Sequence, residues 1–180
     1  MRLKASIFAA AFIALSAGAA SPVLAQAAPA TLPGGATSLK ETFDDWMVNC
    51  VVTEGQKRCA LSQQQANQQT RQLVLAVELT PADGNTVIGT LVMPFGLSID
   101  SGVTLQVDDL PSGAALRFRT CLPVGCLVNL SFDANSLKSL RGGTALKVSA
   151  TPDGAKEPAA FSIPLRGFSP ALDRVQALLK

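Results

Sequence analysis

The 180-residue sequence contains no histidine and no tyrosine, a single tryptophan, and only 16% charged residues. Without an imidazole there is no Ser-His-Asp triad and no Cys-His dyad, and most catalytic zinc sites also drop out. Aromatic residues make up only 5% of the chain. That is too few for the stacking platforms of nucleic-acid binders or the two aromatic girdles of an outer-membrane barrel. Charge of one sign is also missing, since 15 Lys and Arg stand against 13 Asp and Glu. No phosphate-neutralising stripe is implied, and no nucleic-acid partner is expected. The paired glycines at 34–35 and 142–143 match neither a P-loop nor a dinucleotide fingerprint, so no cofactor is implied.

What is present begins with an N-terminal targeting pattern. Arg2 and Lys4 precede an uncharged, Ala-rich run from Ala5 to Ala20, and Val23 and Ala25 occupy small-residue positions before Gln26. This is the layout of a secretory signal peptide over residues 1–25, and the apolar run is short for a spanning helix. No Cys stands at the expected cut, which argues against a lipid anchor. Removal of Arg2 and Lys4 leaves as many basic as acidic residues, so the pI of 8.4 belongs to the precursor. Residues 26–40 are rich in Ala, Pro, Gly and Thr with no hydrophobic period, and read as a flexible leader. A single β-sandwich domain is expected over residues 41–180, with no transmembrane segment after signal removal.

Within that domain the dominant period is two. Apolar residues alternate at Trp46, Val48, Cys50 and Val52, at Val103, Leu105 and Val107, and at Cys126, Val128, Leu130 and Phe132. Turn signals separate such runs, among them Thr53-Glu54-Gly55-Gln56, Asp83-Gly84-Asn85 and Pro152-Asp153-Gly154. Many short strands between Gly, Pro and Asp turns predict an all-β sandwich. Two helices interrupt it. Asp133 is placed to cap a short helix from Ala134 to Leu140, with Gly142 as its stop. A C-terminal helix is expected with Ser169 as N-cap and Pro170 at its first position. Its stripe of Leu172, Val175, Leu178 and Leu179 reads as docking onto the sandwich rather than as a partner-binding face.

Four cysteines in an exported chain predict disulfides. Three pairings are possible, and spacing favours the local one, Cys50 with Cys59 across a hairpin and Cys121 with Cys126 around a tight turn. Neither gap is the Cys-x-x-Cys of thiol oxidoreductases, and the first is too wide for paired zinc ligands, so neither redox chemistry nor a metal site is expected.

Other chemistry is sparse. Asp44-Asp45 and Asp108-Asp109 are paired carboxylates of the type a glycosidase uses, but acids commonly start turns. The segment 62–72 is Gln-rich. Its Gln63, Gln65 and Gln69, with Arg117 and Arg119 on a second strand, form a candidate binding face for a polar or anionic partner.

The order of these features resembles one known family. Trp46-x3-Cys50, then Cys59 and the Gln-rich strand, Pro94-Phe95-Gly96, Val107-Asp108, Cys121-x3-Gly125-Cys126 and Leu165-x-Gly167-Phe168-x2-Ala171-Leu172 together are similar to the invasion-associated locus B family. The resemblance runs from about Phe43 to Leu172. It implies an immunoglobulin-like β-sandwich, an exported cell-envelope protein in the periplasm or at the cell surface, and a virulence role in host-cell adhesion or invasion. It supplies no catalytic residue, and it carries over the four cysteines as structural positions. The expected activity is therefore binding without catalysis, to an envelope or host-surface protein or glycan. The alternatives are a periplasmic ligand-binding or envelope-maintenance module and, behind it, an Asp- or Glu-dependent hydrolase.

Overall fold

A computed structural model of the chain describes residues 31–180. The expected signal peptide, 1–25, and the first residues of the expected leader lie outside the described residues. The strands are β1 (Ser38–Phe43), β2 (Trp46–Thr53), β3 (Gln56–Ala66), β4 (Leu73–Ala82), β5 (Thr86–Met93), β6 (Val103–Val107), β7 (Phe118–Leu122), β8 (Gly125–Phe132), β9 (Ala145–Ala150) and β10 (Ala159–Pro164). The helices are α1 (Ala134–Gly142) and α2 (Phe168–Leu179). A seven-stranded antiparallel sheet has the order β1-β2-β3-β4-β5-β8-β7, and a three-stranded one the order β10-β9-β6. This is the sandwich that the period-two pattern predicts.

Local turn chemistry sets the register. Thr53 pairs with Gln56, so the β2–β3 hairpin closes on two residues, Glu54 (φ 53°) and Gly55 (φ 73°). Two positive φ values in a two-residue loop give the type I′ turn whose twist matches the flanking strands. That register places Cys50 opposite Cys59.

The large sheet is wider than the small one, and α2 fills the difference. α2 packs on β1 to β4. Phe168, Ala171, Leu172, Val175 and Leu178 are buried there, on one stripe of the helix. The apolar stripe is thus core, as its spacing suggests. The inner face of the large sheet supplies Trp46, Val48, Leu61, Leu75, Val77, Leu79, Leu91 and Val128, and the small sheet supplies Val148 and Ile163. Trp46 meets Phe168 edge to face, with ring centroids 5.2 Å apart.

Three boundaries differ from expectation. The leader does not extend to residue 40, because Leu32 is buried in the core and β1 begins at Ser38. The inward positions of β1 are Leu39, Glu41 and Phe43, so a carboxylate interrupts the apolar alternation and hides the strand. Glu41 is matched by Arg174 of α2 through two hydrogen bonds of 2.6 and 2.8 Å. The N-cap of α2 is Gly167 (φ 86°), not Ser169, whose hydroxyl instead donates to the Arg141 carbonyl. α1 is capped by Asp133, which accepts from the Ser136 amide, and it runs through Gly142 with Gly143 as its C-cap rather than ending at Leu140.

Candidate functional site

The Gln-rich strand is in part a structural device. Gln63 is only 6% exposed, the one buried polar or charged side chain among the described residues. Its Nε2 donates to the Pro164 carbonyl at 3.1 Å, and the Trp46 indole N–H donates to the same oxygen at 3.0 Å. Gln65 Nε2 donates to Gln63 Oε1 at 3.1 Å and to the Ser162 carbonyl at 2.7 Å. β10 is an edge strand of the small sheet, and Ser162 and Pro164 present their carbonyls on its free side. Pro164 needs no ladder donor there, which is where proline is tolerated in a sheet. The glutamines therefore cap an open edge and join the two layers. Burial removes Gln63 from the candidate binding face.

The remaining members do not converge. Gln69 is exposed in the β3–β4 loop, where Asn67 Oδ1 accepts from the Gln69 and Thr70 amides. Arg117 and Arg119 are exposed at the β7 edge of the large sheet. Four strand spacings, roughly 19 Å, separate β3 from β7. The five residues do not form one surface.

The paired carboxylates are engaged in holding loops. Asp45 meets Arg166 at 3.1 Å, and Asp44 lies 3.9 Å from the same guanidinium. Asp108 accepts from the Thr144 and Ala145 amides, and these hydrogen bonds, Thr144 first, hold its carboxyl below the usual range. Asp109 pairs with Lys147 at 2.9 Å. These contacts are those of turn anchors: each pair lines a surface cavity, but its carboxylates are engaged by loop amides or by a guanidinium or ammonium group.

Cys50–Cys59 and Cys121–Cys126 are each at disulfide distance, with Cα atoms 4.1 and 3.9 Å apart. The second pair closes a hairpin whose tip is apolar. Leu122 is 47% and Val124 62% exposed, and Phe95, 61% exposed, follows β5 at the same end of the sheet. Met93 pairs with Cys126, so the chain leaving β5 and the chain entering β8 meet at one end of the sheet. The β3–β4 loop with Gln69 lies at this same end, since Ala76 pairs with Val92 and Gln64 with Ala76. The sequence did carry a signal for this tip. Leu122-Pro123-Val124 is apolar where turns are ordinarily polar.

A second concave feature lies at α1. A cleft of about 320 Å³ runs between β6, the segment 110–116 and α1. Among the described residues no helix is long and apolar enough to cross a membrane.

Comparison with known proteins agrees with the fold and the motif order. The profile of the invasion associated locus B (IalB) protein family matches residues 46–176. An invasion protein B homolog of Brucella abortus (strain 2308) is 46% identical over 151 residues, covering 84% of this chain and 87% of that protein. Invasion protein B of Bartonella bacilliformis is 39% identical over 176 residues, covering 94% of each. The crystal structure of invasion associated protein b from Bartonella henselae superposes with a TM-score of 0.73 at 38% identity, covering 78% of this chain and 97% of that one. The chain belongs to the invasion associated locus B family.

Proposed function

We propose that this protein is exported, is stapled by its two disulfides in an oxidising compartment, and acts at the cell envelope by binding rather than catalysis. In a host-associated bacterium the binding serves adhesion to or invasion of host cells. The observation that carries the reading is the set of exposed apolar side chains at one end of the large sheet, Leu122 and Val124 on the hairpin closed by Cys121 and Cys126 and Phe95 just after β5. Rigid apolar groups at the end of a sandwich lose little conformational freedom when a partner covers them, and contiguous exposed apolar groups commonly mark contact surfaces. The names of the Brucella and Bartonella relatives support the invasion reading.

The test is competition for host-cell attachment by purified protein. The wild type should reduce attachment of the bacterium, and the Phe95→Ser, Val124→Ser double variant should not, while both melt at the same temperature. Equal competition by both proteins would reject this surface. A periplasmic ligand-binding module is the second reading, and the cleft beside α1 favours it.

A further inference from the structure

The cleft beside α1 has the build of a small-molecule site. Its floor is apolar and buried, formed by Phe132, Leu140 and Leu146. Its walls are leucines that remain partly or largely open, Leu105 and Leu116 on one side and Leu110, 48% exposed, at the mouth. The wall segment joins no named strand, yet its backbone is fixed. Leu116 and Val103 exchange N–H···O bonds of 2.8 and 2.9 Å, Gly113 N–H donates to the Leu105 carbonyl, and Gln106 donates to the Leu110 carbonyl at 2.7 Å. The slot is therefore held open by hydrogen bonds, and its volume of about 320 Å³ lies within the range of ligand pockets.

The polar groups sit to one side. Ser136 and Ser139 line the slot from α1. At Leu110 and Ser139 the slot opens into a shallower cavity of about 540 Å³ that Lys138, Asp108 and Asp109 also line. Both carboxylates there have partners, Asp108 the Thr144 and Ala145 amides and Asp109 the Lys147 ammonium. Lys138 makes no salt bridge among the described residues, so it is the cation left to meet a ligand in a cavity where Asp108, bonded to neutral amides, keeps its negative charge.

We propose that this cleft binds a single-chain amphiphile with an anionic headgroup, its hydrocarbon tail between Leu105, Leu116 and Leu140 and its headgroup at Lys138. Apolar burial supplies most of the affinity, and Lys138 with the two serine hydroxyls fixes the direction of the chain. The site is separate from the Phe95–Val124 tip and does not rest on the adhesion reading.

Displacement of the neutral fluorophore N-phenyl-1-naphthylamine from the full-length mature protein tests it. The fluorophore should brighten on adding protein, and both dodecanoate and dodecanol should displace it. Ala114→Trp, which places an indole into the slot from an exposed wall position, should abolish brightening without lowering the melting temperature. Lys138→Glu should weaken dodecanoate about fivefold, the scale of an exposed ion pair, and leave dodecanol unchanged. Absence of brightening in the wild type, or brightening that survives Ala114→Trp, would overturn the site. An unchanged dodecanoate affinity in Lys138→Glu would overturn the headgroup assignment.

Discussion

Gln63 and Pro164 lie 101 residues apart in sequence and are joined by a 3.1 Å hydrogen bond from the glutamine amide to the proline carbonyl. The contact closes the free edge of the three-stranded sheet against the inner face of the seven-stranded one. It gives the glutamine-rich strand a place in the architecture.

Replacing Gln63 by Leu leaves the Gln65 amide without one acceptor and the Pro164 carbonyl with the Trp46 indole alone. The expected cost is about 1–3 kcal/mol, the price of breaking a buried polar network. Gln64→Ala, on the exposed outer face of the same strand, should change stability by less than about 0.5 kcal/mol. Urea denaturation of the two variants distinguishes them. Equal stability would show that the bridge contributes nothing.

Gly167 has a φ of 86°, and a Cβ there would collide with the Phe43 carbonyl. A left-handed conformation alone costs a side-chain-bearing residue about 1–2 kcal/mol. Gly167→Ala should exceed that, because the start of α2 must move away from the β1–β2 corner. Gly154→Ala, at a positive φ in open space, should cost only the conformational part. If Gly167→Ala is no more destabilising than Gly154→Ala by thermal melting, the close approach is not real.

Glu41 is held below its ordinary value of 4.5 chiefly by the hydrogen bonds from Arg174. A depressed carboxyl contributes stability above its unfolded-state value and loses it as pH falls through the folded-state one. The contribution should be present at neutral pH and fade below about pH 4.5. Both side chains are about one-third exposed, so the pair is worth at most ~1 kcal/mol. Glu41→Gln should lower stability at pH 7 and flatten the acid limb of a stability–pH profile. An acid limb identical to the wild type would contradict the assignment.

Each cysteine pair should stabilise the fold by roughly 2–3 kcal/mol, slightly more for Cys50–Cys59, which closes the longer loop. Dithiothreitol should lower the melting temperature of the wild type. It should have a smaller effect on Cys50→Ser, Cys59→Ser protein. Non-reducing mass mapping should recover Cys50–Cys59 and Cys121–Cys126 peptides, and a crossed pair would contradict the β2–β3 and β7–β8 registers.

The strands with regular alternation, β2, β6 and β8, were legible because one face of each carries an unbroken apolar series while polar residues such as Asn49, Gln106 and Asn129 interrupt the other. So was the cap at Asp133, a local interaction. β1 was hidden because its inner face carries Glu41, whose partner Arg174 is 133 residues away. Gln63 was misplaced for the same reason, since composition suggests exposure and only the tertiary position of β10 explains its burial. The start of α2 was missed because its cap is a glycine whose conformation depends on packing against Phe43. Of the two surfaces offered as sites, the hairpin tip is marked in the sequence only by its apolar turn Leu122-Pro123-Val124, and the cleft beside α1, assembled from segments distant in sequence, by no linear motif.

Export to an oxidising compartment, and action there as a disulfide-stapled binding protein, can be checked by fractionation of the bacterium with thiol labelling of the protein before and after reduction. The protein should be found outside the cytoplasm with all four cysteines blocked until reduction. Protein retained in the cytoplasm with four reactive thiols would contradict this.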